Sequence, residues 1–372
     1  MSLRSWGEPP WRRSSFDAIA SLPDACDVAI IGGGLTGASA AWHLASRGVK
    51  AVLFEADRIA SGASGRTGGL VLEGLAYGPR PGADDCVPQL RRLVDELALD
   101  CGLYLPGCWE IVHETLDGRL LPWRDAGSAI SILNTVPGGI VEPAALTLGL
   151  AAAARRAGAK LFEHAPVKRI NRGRSPIVEV AGRRVSCAQV VVALNGWTAA
   201  LIPIPEMVSA LTYALVTAPL EQTTLKALGL AERIPFYTAD TPYLWGRVCD
   251  DGAIVFGAGL TYGSPAEMEA TAITQTEPQA ILDGLEKRIR GLHPALARVP
   301  ITSRWAGPIA FRKGAIPVLA RLPEAPNVLV AAAYAGHGVA FSVHAGRLMA
   351  AAIIDNATLP PWGAIARDAN QS

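Results

Sequence analysis

Gly32, Gly34 and Gly37 stand at the spacing G-x-G-x-x-G, directly after the apolar run Asp27-Val28-Ala29-Ile30-Ile31 and before the small-residue stretch LTGASAAWHLASR. Each glycine has a separate physical use. Gly32 permits a tight turn, Gly34 lets backbone approach a pyrophosphate, and Gly37 lets a helix press on a sheet. Leu35 and Thr36 would open that helix, whose unpaired N–H groups favour a phosphate. Glu55 ends the next apolar run, twenty-three positions beyond Gly32, with Ala56 after it. A carboxylate there accepts hydrogen bonds from ribose hydroxyls and repels a 2′-phosphate, which disfavours NADP and leaves NAD and FAD open.

Two further glycine clusters bear on that choice. Ser61-Gly62-Ala63-Ser64-Gly65-Arg66-Thr67-Gly68-Gly69 is small and polar with one cation. Such a loop can run beside a planar ring and a diphosphate and donate backbone N–H groups to them; a flexible surface loop is the plainer alternative. Gly336-His337-Gly338 and Val339 start a second helix after an apolar run. The positive end of that helix could face a developing negative charge on the N1/C2=O edge of a flavin. A nicotinamide enzyme has no use for a second glycine-turned helix start, so FAD is expected. His337, flanked by glycines at a helix start, is expected to be neutral and to touch the flavin. Tyr243, Trp245 and Arg247 alternate on what reads as one strand. They could hold an amine by cation-π attraction, worth ~0.5 to 2 kcal/mol, or simply pack a sheet. Tyr334 is a candidate for the substrate side of the ring, and His43 and His344 read as packing or surface residues.

The elements that must position these groups follow from periodicity. A buried strand, a glycine turn, a helix over Leu35 to Arg47 closing on Gly48, and a second strand over Lys50 to Phe54 form a βαβ unit. Leu75 to Gly139 is rich in turn residues, with one helix expected around Pro88 to Leu99. Further on come a helix over Pro143 to Ala157, short strands at 160–163 and 166–170, alternation at 177–180 and 184–186, and a buried strand at 189–194. Between Val208 and Leu260 longer alternating strands (SALTYALVTAPL, TPYLWGRV, AIVFGAG) predict an antiparallel sheet of different character. A helix at 274–292, a buried strand at 327–332 and a helix at 339–354 complete the chain. The fold class is α/β with an α+β cap: a Rossmann-like domain of residues 1–75, 141–205 and 306–372, interrupted by a substrate domain of residues 76–140 and 206–305 with an antiparallel sheet.

Composition excludes several other classes. The chain has 372 residues, 50% of them hydrophobic, so it is neither disordered nor too short for a large core. A net charge of +1 supplies no general pull toward nucleic acid or anionic lipid. The six cysteines form no C-x-x-C pair and lie at no metal-ligand spacing with histidine, so no metal is expected, and their scatter fits a reducing compartment. Residues 1–16 carry Arg4, Arg12 and Arg13 without an apolar core, unlike a secretory leader, and no run reaches the ~20 apolar residues of a membrane span. The expectation is a soluble cytoplasmic protein.

The stretch CDVAIIGGGLTGASAAWHLASRGVKAVLFEADRIASGASGRTGG resembles the start of the FAD-dependent oxidoreductases of the D-amino-acid oxidase, glycine oxidase and sarcosine oxidase superfamily. Within it, GASGRTGG is most similar to the gamma-glutamylputrescine oxidase branch, whose pattern has Asn where Thr67 stands here. The resemblance continues through EPAALTLGLAAAARRAGAKLFEHAPVKRI, where Val167 matches a position that meets the adenine through its backbone. It continues in VVVALNGWTAALIP, where Asn195, Gly196 and Trp197 follow the second flavin-site strand, and in LPEAPNVLVAAAYAGHGVAFSVHAGRLMA, the carboxy-terminal flavin signature. It covers residues 76–140 only thinly. It implies FAD, oxidation of a C–N bond in a small amine or amino acid by hydride transfer to flavin N5, and a cap domain over the flavin; whether oxygen or a quinone takes the electrons stays open.

Three departures refine what the resemblance implies. The amino-acid oxidases carry a carboxylate-binding Arg in a G-L-R-P stretch, whereas Trp305-Ala306-Gly307-Pro308-Ile309 has none, leaving Arg304 and Arg312 as substitutes or as surface residues. Ala320 replaces a glycine after Pro317-Val318-Leu319, which implies a different loop near the flavin. No cysteine lies beyond Cys249, so the FAD is expected to be noncovalent. A flavin subunit of a larger dehydrogenase and a plain NAD dehydrogenase remain as alternative readings.

Overall fold

The computed structural model describes residues 3–11, 16, 21–78 and 80–365; Arg12, Arg13 and the end of the chain from 366 lie outside the described residues. Two eight-stranded sheets dominate it. In the first, the order is Val318–Leu322, Ala325–Ala332, Arg183–Val192, Ala25–Ile31, Ala51–Phe54, Lys160–Phe162, and the four pairings from Ala325–Ala332 to Lys160–Phe162 are parallel. Ile177–Val180 and Val167–Asn171 add an antiparallel flap. The parallel strands are buried on both faces, as in Val28 to Ile31 and Val190 to Val192: helices cover one face, and the antiparallel flap, through Ile170, Val178 and Val180, covers the other.

The helical layer joins distant parts of the chain. Leu35–Ala45, Pro143–Arg156 and Gly338–Ile354 share one apolar cluster with Leu53, Leu161 and Leu329. Glu142 caps the second of these helices, accepting from the N–H groups of Ala144 and Ala145 at 3.0 and 2.6 Å. The first and last helices cross so closely that a Cβ on Gly346 would lie 2.6 Å from the Ser39 Cβ, and the Ser39 hydroxyl donates to the Val343 carbonyl at 2.7 Å.

The second sheet has the order Ile301–Arg312, Met207–Thr217, Ile254–Tyr262, Trp245–Val248, Phe236–Thr238, Cys108–Val112, Ser128–Val136, Leu120–Asp125. Every pairing is antiparallel except that of Phe236–Thr238 with Cys108–Val112. Helix Thr276–Leu292 buries Leu282, Leu285, Ile289 and Leu292 at helical spacing, the last three of them in the sheet's own core.

Four expectations change. The turn-rich stretch from 75 to 139 contains three strands of the second sheet and ends in Gly138–Ile140, which pairs back with Leu70–Leu72 as a short ribbon; the alternation of the three strands is masked by exposed apolar residues such as Leu120 and Leu133. Helix Cys86–Glu96, assigned from sequence to the cap, buries Leu90, Leu93 and Val94 in the cluster that holds Val343 and Met349, because its apolar stripe finds the last helix. Ala320 sits inside strand Val318–Leu322 opposite Val330, buried, so the residue replacing glycine alters a strand rather than a loop. Tyr243 does not share a strand with Trp245 and Arg247: that strand begins at Trp245, and Tyr243 precedes it, half exposed.

Candidate active site

The three glycine clusters meet. Gly32 turns at φ +112°, and its N–H donates to the Phe54 carbonyl at 2.9 Å, which closes the turn against the second strand. A Cβ on Gly37 would overlap the carbonyl oxygen of Gly32, so no other residue lets helix and turn approach this closely. The N–H groups of Thr36 and Gly37 belong to the helix's first turn and lack intrahelical acceptors. The Glu55 carboxylate accepts from the N–H groups of Gly33 at 2.7 Å and Asp57 at 2.9 Å, and burial raises its pKa.

The second cluster is clamped to the first. The Ser64 hydroxyl accepts from the Leu35 N–H at 2.9 Å, and a Cβ on Gly34 would come within 2.7 Å of that hydroxyl oxygen. Trp197 packs on Gly62 and stacks on Trp6 with centroids 5.8 Å apart. Ser61 is buried, Ala63 accepts from the N–H groups of Arg66 and Thr67, and Gly69 turns at φ +78°. Arg66, expected to contact the cofactor, instead gives its buried guanidinium to the carbonyls of Ser61, Gly7 and Ala306. Its charge holds three backbone segments together.

The third cluster completes the cradle. Asn195, at φ +45°, accepts from the Ala333 N–H at 2.9 Å and so ties the ends of two parallel strands, while Gly196 accepts from the Ser209 hydroxyl. Ala333, Ala335 and Gly336 all have positive φ, a strained run before the last helix. His337 is the N-cap residue of that helix, and its Nδ1 is buried without a partner. Burial lowers the pKa of His337, opposed by a backbone hydrogen bond at Ala335 and by the charge of Glu110. Val339 is buried behind it, and Val167 lies half-buried at the start of its strand. Tyr334 is corrected from the substrate side: its buried hydroxyl shares a 2.8 Å hydrogen bond with Thr36 Oγ1, joining the last strand to the first helix.

The second sheet presents a row of residues to this cradle. Cross-strand partners run Asn134, Glu110, Tyr237, Trp245, Gly257, Ala214, Trp305 across six neighbouring pairs. Directly opposed residues share a face of a sheet. The Trp305 indole donates to the Arg66 carbonyl at 2.9 Å, the Trp245 ring lies against Gly68 and Gly257 where no Cβ fits, and the Tyr237 ring meets His337 edge-on at 6.3 Å. Arg247, also buried, donates from Nε to the Gly68 carbonyl and lies over the Trp11 ring, so its guanidinium ties the second sheet to the glycine loop. Arg304 is held by Asp283 and Glu286, and Arg312 donates to the Ala364 carbonyl.

Sequence reasoning missed Glu110, Asn134 and Tyr237, for which only the register of the sheet supplies a signal. It also missed the amino-terminal tryptophans. Trp6 is fully buried, and Trp11 donates to the Gly65 carbonyl at 2.7 Å, so both brace the second glycine cluster.

These residues fit FAD on their own evidence: a glycine cradle in which side chains have no room, a helix start with N–H groups to spare, a carboxylate at the end of the second strand, and an orphaned His337 nitrogen at a second helix start. A family model described as FAD dependent oxidoreductase matches residues 27–352. The chain belongs to this family, and it is an FAD-dependent oxidoreductase. It is 26% identical over 378 residues to the gamma-glutamylputrescine oxidoreductase of Escherichia coli (strain K12), covering 87% of this chain and 83% of that one. It is also 26% identical to a glycine oxidase of Bacillus licheniformis, covering 90% and 95%. The solved glycine oxidase of Geobacillus kaustophilus shares its fold, with a TM-score of 0.73 at 21% identity over 90% of this chain and 96% of that one. Among the described residues no helix is long and apolar enough to cross a membrane.

Proposed function

We propose that the protein oxidises the C–N bond of an amine or amino-acid derivative to an imine that water hydrolyses. The observation that carries this reading is the aromatic row Tyr237, Trp245, Trp305 set against the glycine cradle. When bound, FAD supplies the hydride acceptor. Gly32, Gly34, Leu35, Thr36 and Gly37 would hold its phosphates, Glu55 its ribose, the Ser61–Gly69 loop and Asn195 to Trp197 its length, and Gly336 to Val339 its ring edge. The chain's own residues then have three tasks. Trp245 and Tyr237 orient the amine, His337 remains neutral in its buried setting, and Trp305 and Trp245 fix the loop at Arg66 and Gly68 against the wall. The amine reacts in its uncharged form, so the proton of the ammonium passes to solvent before hydride transfer and no side-chain base is assigned.

Two working parts follow from this reading. Residues 1–75, 141–205 and 313–372 serve the cofactor, joined by helix Cys86–Glu96, and the remainder of 76–140 and 206–312 carries the substrate wall, the boundary moving from 306 because strand Ile301–Arg312 pairs along its whole length in the second sheet. Noncovalent attachment of the cofactor is the expected mode, because no cysteine lies beyond Cys249. Free cysteines also suit a reducing, cytoplasmic setting. Purified protein should be yellow, and acid precipitation should release the flavin into the supernatant. A pellet that keeps its colour would contradict noncovalent binding, and a colourless preparation would contradict the cofactor assignment.

A further inference from the structure

We propose that Glu110 sets the charge of the substrate, selecting amines that carry a second positive group at the end remote from the C–N bond that is oxidised. This rests on the amine-oxidising reading above and deepens it.

Glu110 lies on the row that faces the cradle, one strand beyond Tyr237 and two beyond Trp245. Two strand spacings of ~4.8 Å place it about 10 Å from the indole that covers Gly68. Its carboxylate is built into position. Oε1 accepts from the Tyr237 hydroxyl at 2.5 Å, and Oε2 accepts from the Asn134 amide at 2.9 Å. Both donors are neutral, and among the described residues no cation pairs with Glu110. A half-buried carboxylate with free lone pairs and no counter-charge attracts an ammonium or guanidinium group.

The same geometry argues against other substrate charges. A carboxylate-bearing substrate would meet Glu110 with like charge, and the nearby guanidiniums are engaged: Arg247 with the Gly68 carbonyl, Arg304 with Asp283 and Glu286, Arg66 with backbone carbonyls. Glu110 is also unsuited to the reacting nitrogen itself. A carboxylate beside that amine would favour its protonated form, whereas the amine must be uncharged to give up hydride. The row separates these demands, with aromatic rings at the reacting end and the carboxylate at the far end.

The test compares n-alkylamines with α,ω-diamines of equal carbon number on the holoenzyme, reading anaerobic flavin bleaching and kcat/KM. The wild type should prefer the diamine by roughly tenfold or more, the size of one charge-assisted hydrogen bond. Glu110→Gln should collapse that ratio toward one. Glu110→Asp, which keeps the charge but draws it back, should retain the preference and move its optimum to a longer diamine; it also serves if Glu110→Gln loses its flavin. A ratio unchanged by Glu110→Gln, or a chain-length optimum unmoved by Glu110→Asp, overturns the assignment. Bleaching of the wild type by monoamines and diamines alike without preference overturns it too, while leaving the amine reading intact. Bleaching by neither overturns this inference, and amino acids added to the same panel then decide whether the wider C–N oxidation reading falls with it.

Discussion

The cradle and the wall opposite it are made by opposite means. In the cradle side chains are missing: Gly32, Gly37 and Gly69 let backbone approach backbone, Gly34 and Gly68 leave room for the Ser64 hydroxyl and the Trp245 ring, and the groups offered to the cofactor are main-chain N–H groups. In the wall side chains do everything, and they meet because sheet register lines up Asn134, Glu110, Tyr237, Trp245 and Trp305 from strands far apart in sequence. A cofactor shared across a family can be held by backbone geometry, whereas a substrate must be told apart by side chains. The two regions should therefore fail differently when disturbed.

The largest effect is expected from Gly37→Val. Its side chain would collide with the Gly32 carbonyl, so helix and turn must separate at a cost of about 1–3 kcal/mol. Flavin content, measured as absorption per protein, should fall by roughly tenfold or more, since ~1.4 kcal/mol is one decade of affinity. Retention of full flavin content would show that the cradle is not the binding element.

A smaller and pH-dependent effect is expected in the cap. Asp125, 3% exposed, accepts from His113 Nε2 at 2.9 Å and from Arg288 Nε at 2.8 Å, while Arg288 also donates to the carbonyls of Pro242 and Tyr243. Burial pushes the Asp125 pKa up, but the Arg288 and His113 bonds outweigh it and hold the carboxyl below its ordinary 3.8. A carboxyl depressed in the folded state contributes stability that is fully present above its unfolded value and is lost as pH falls through its folded value. Asp125→Asn should therefore cost roughly 1–3 kcal/mol near neutral pH, with flavin content unchanged. In denaturant titrations the gap to wild type should narrow below pH 3.8; a gap constant with pH would mean that the ion pair contributes nothing.

Legibility in the sequence divides along the same line. Ala25–Ile31, Leu35–Ala45 and Gly338–Ile354 were readable because burial on both faces and glycine punctuation are local signals. Glu110 and Tyr237 lie 127 positions apart and meet only through a parallel pairing, which no local pattern encodes. Tyr334 shows the same limit from the other side. It stands beside the right glycines, yet its hydroxyl is spent on Thr36, a partner 298 positions away. Arg66, conspicuous as the lone cation of its loop, was likewise readable as present and unreadable as to where it points.

The most direct test of the account is anaerobic mixing of the purified yellow protein with a panel of amines and amino acids while the flavin absorption band is recorded. Loss of the band with at least one amine, restored on admitting an electron acceptor, is the predicted result. A band that persists with every amine and amino acid would contradict the assignment of this wall as a substrate site and leave the chain as a flavin carrier.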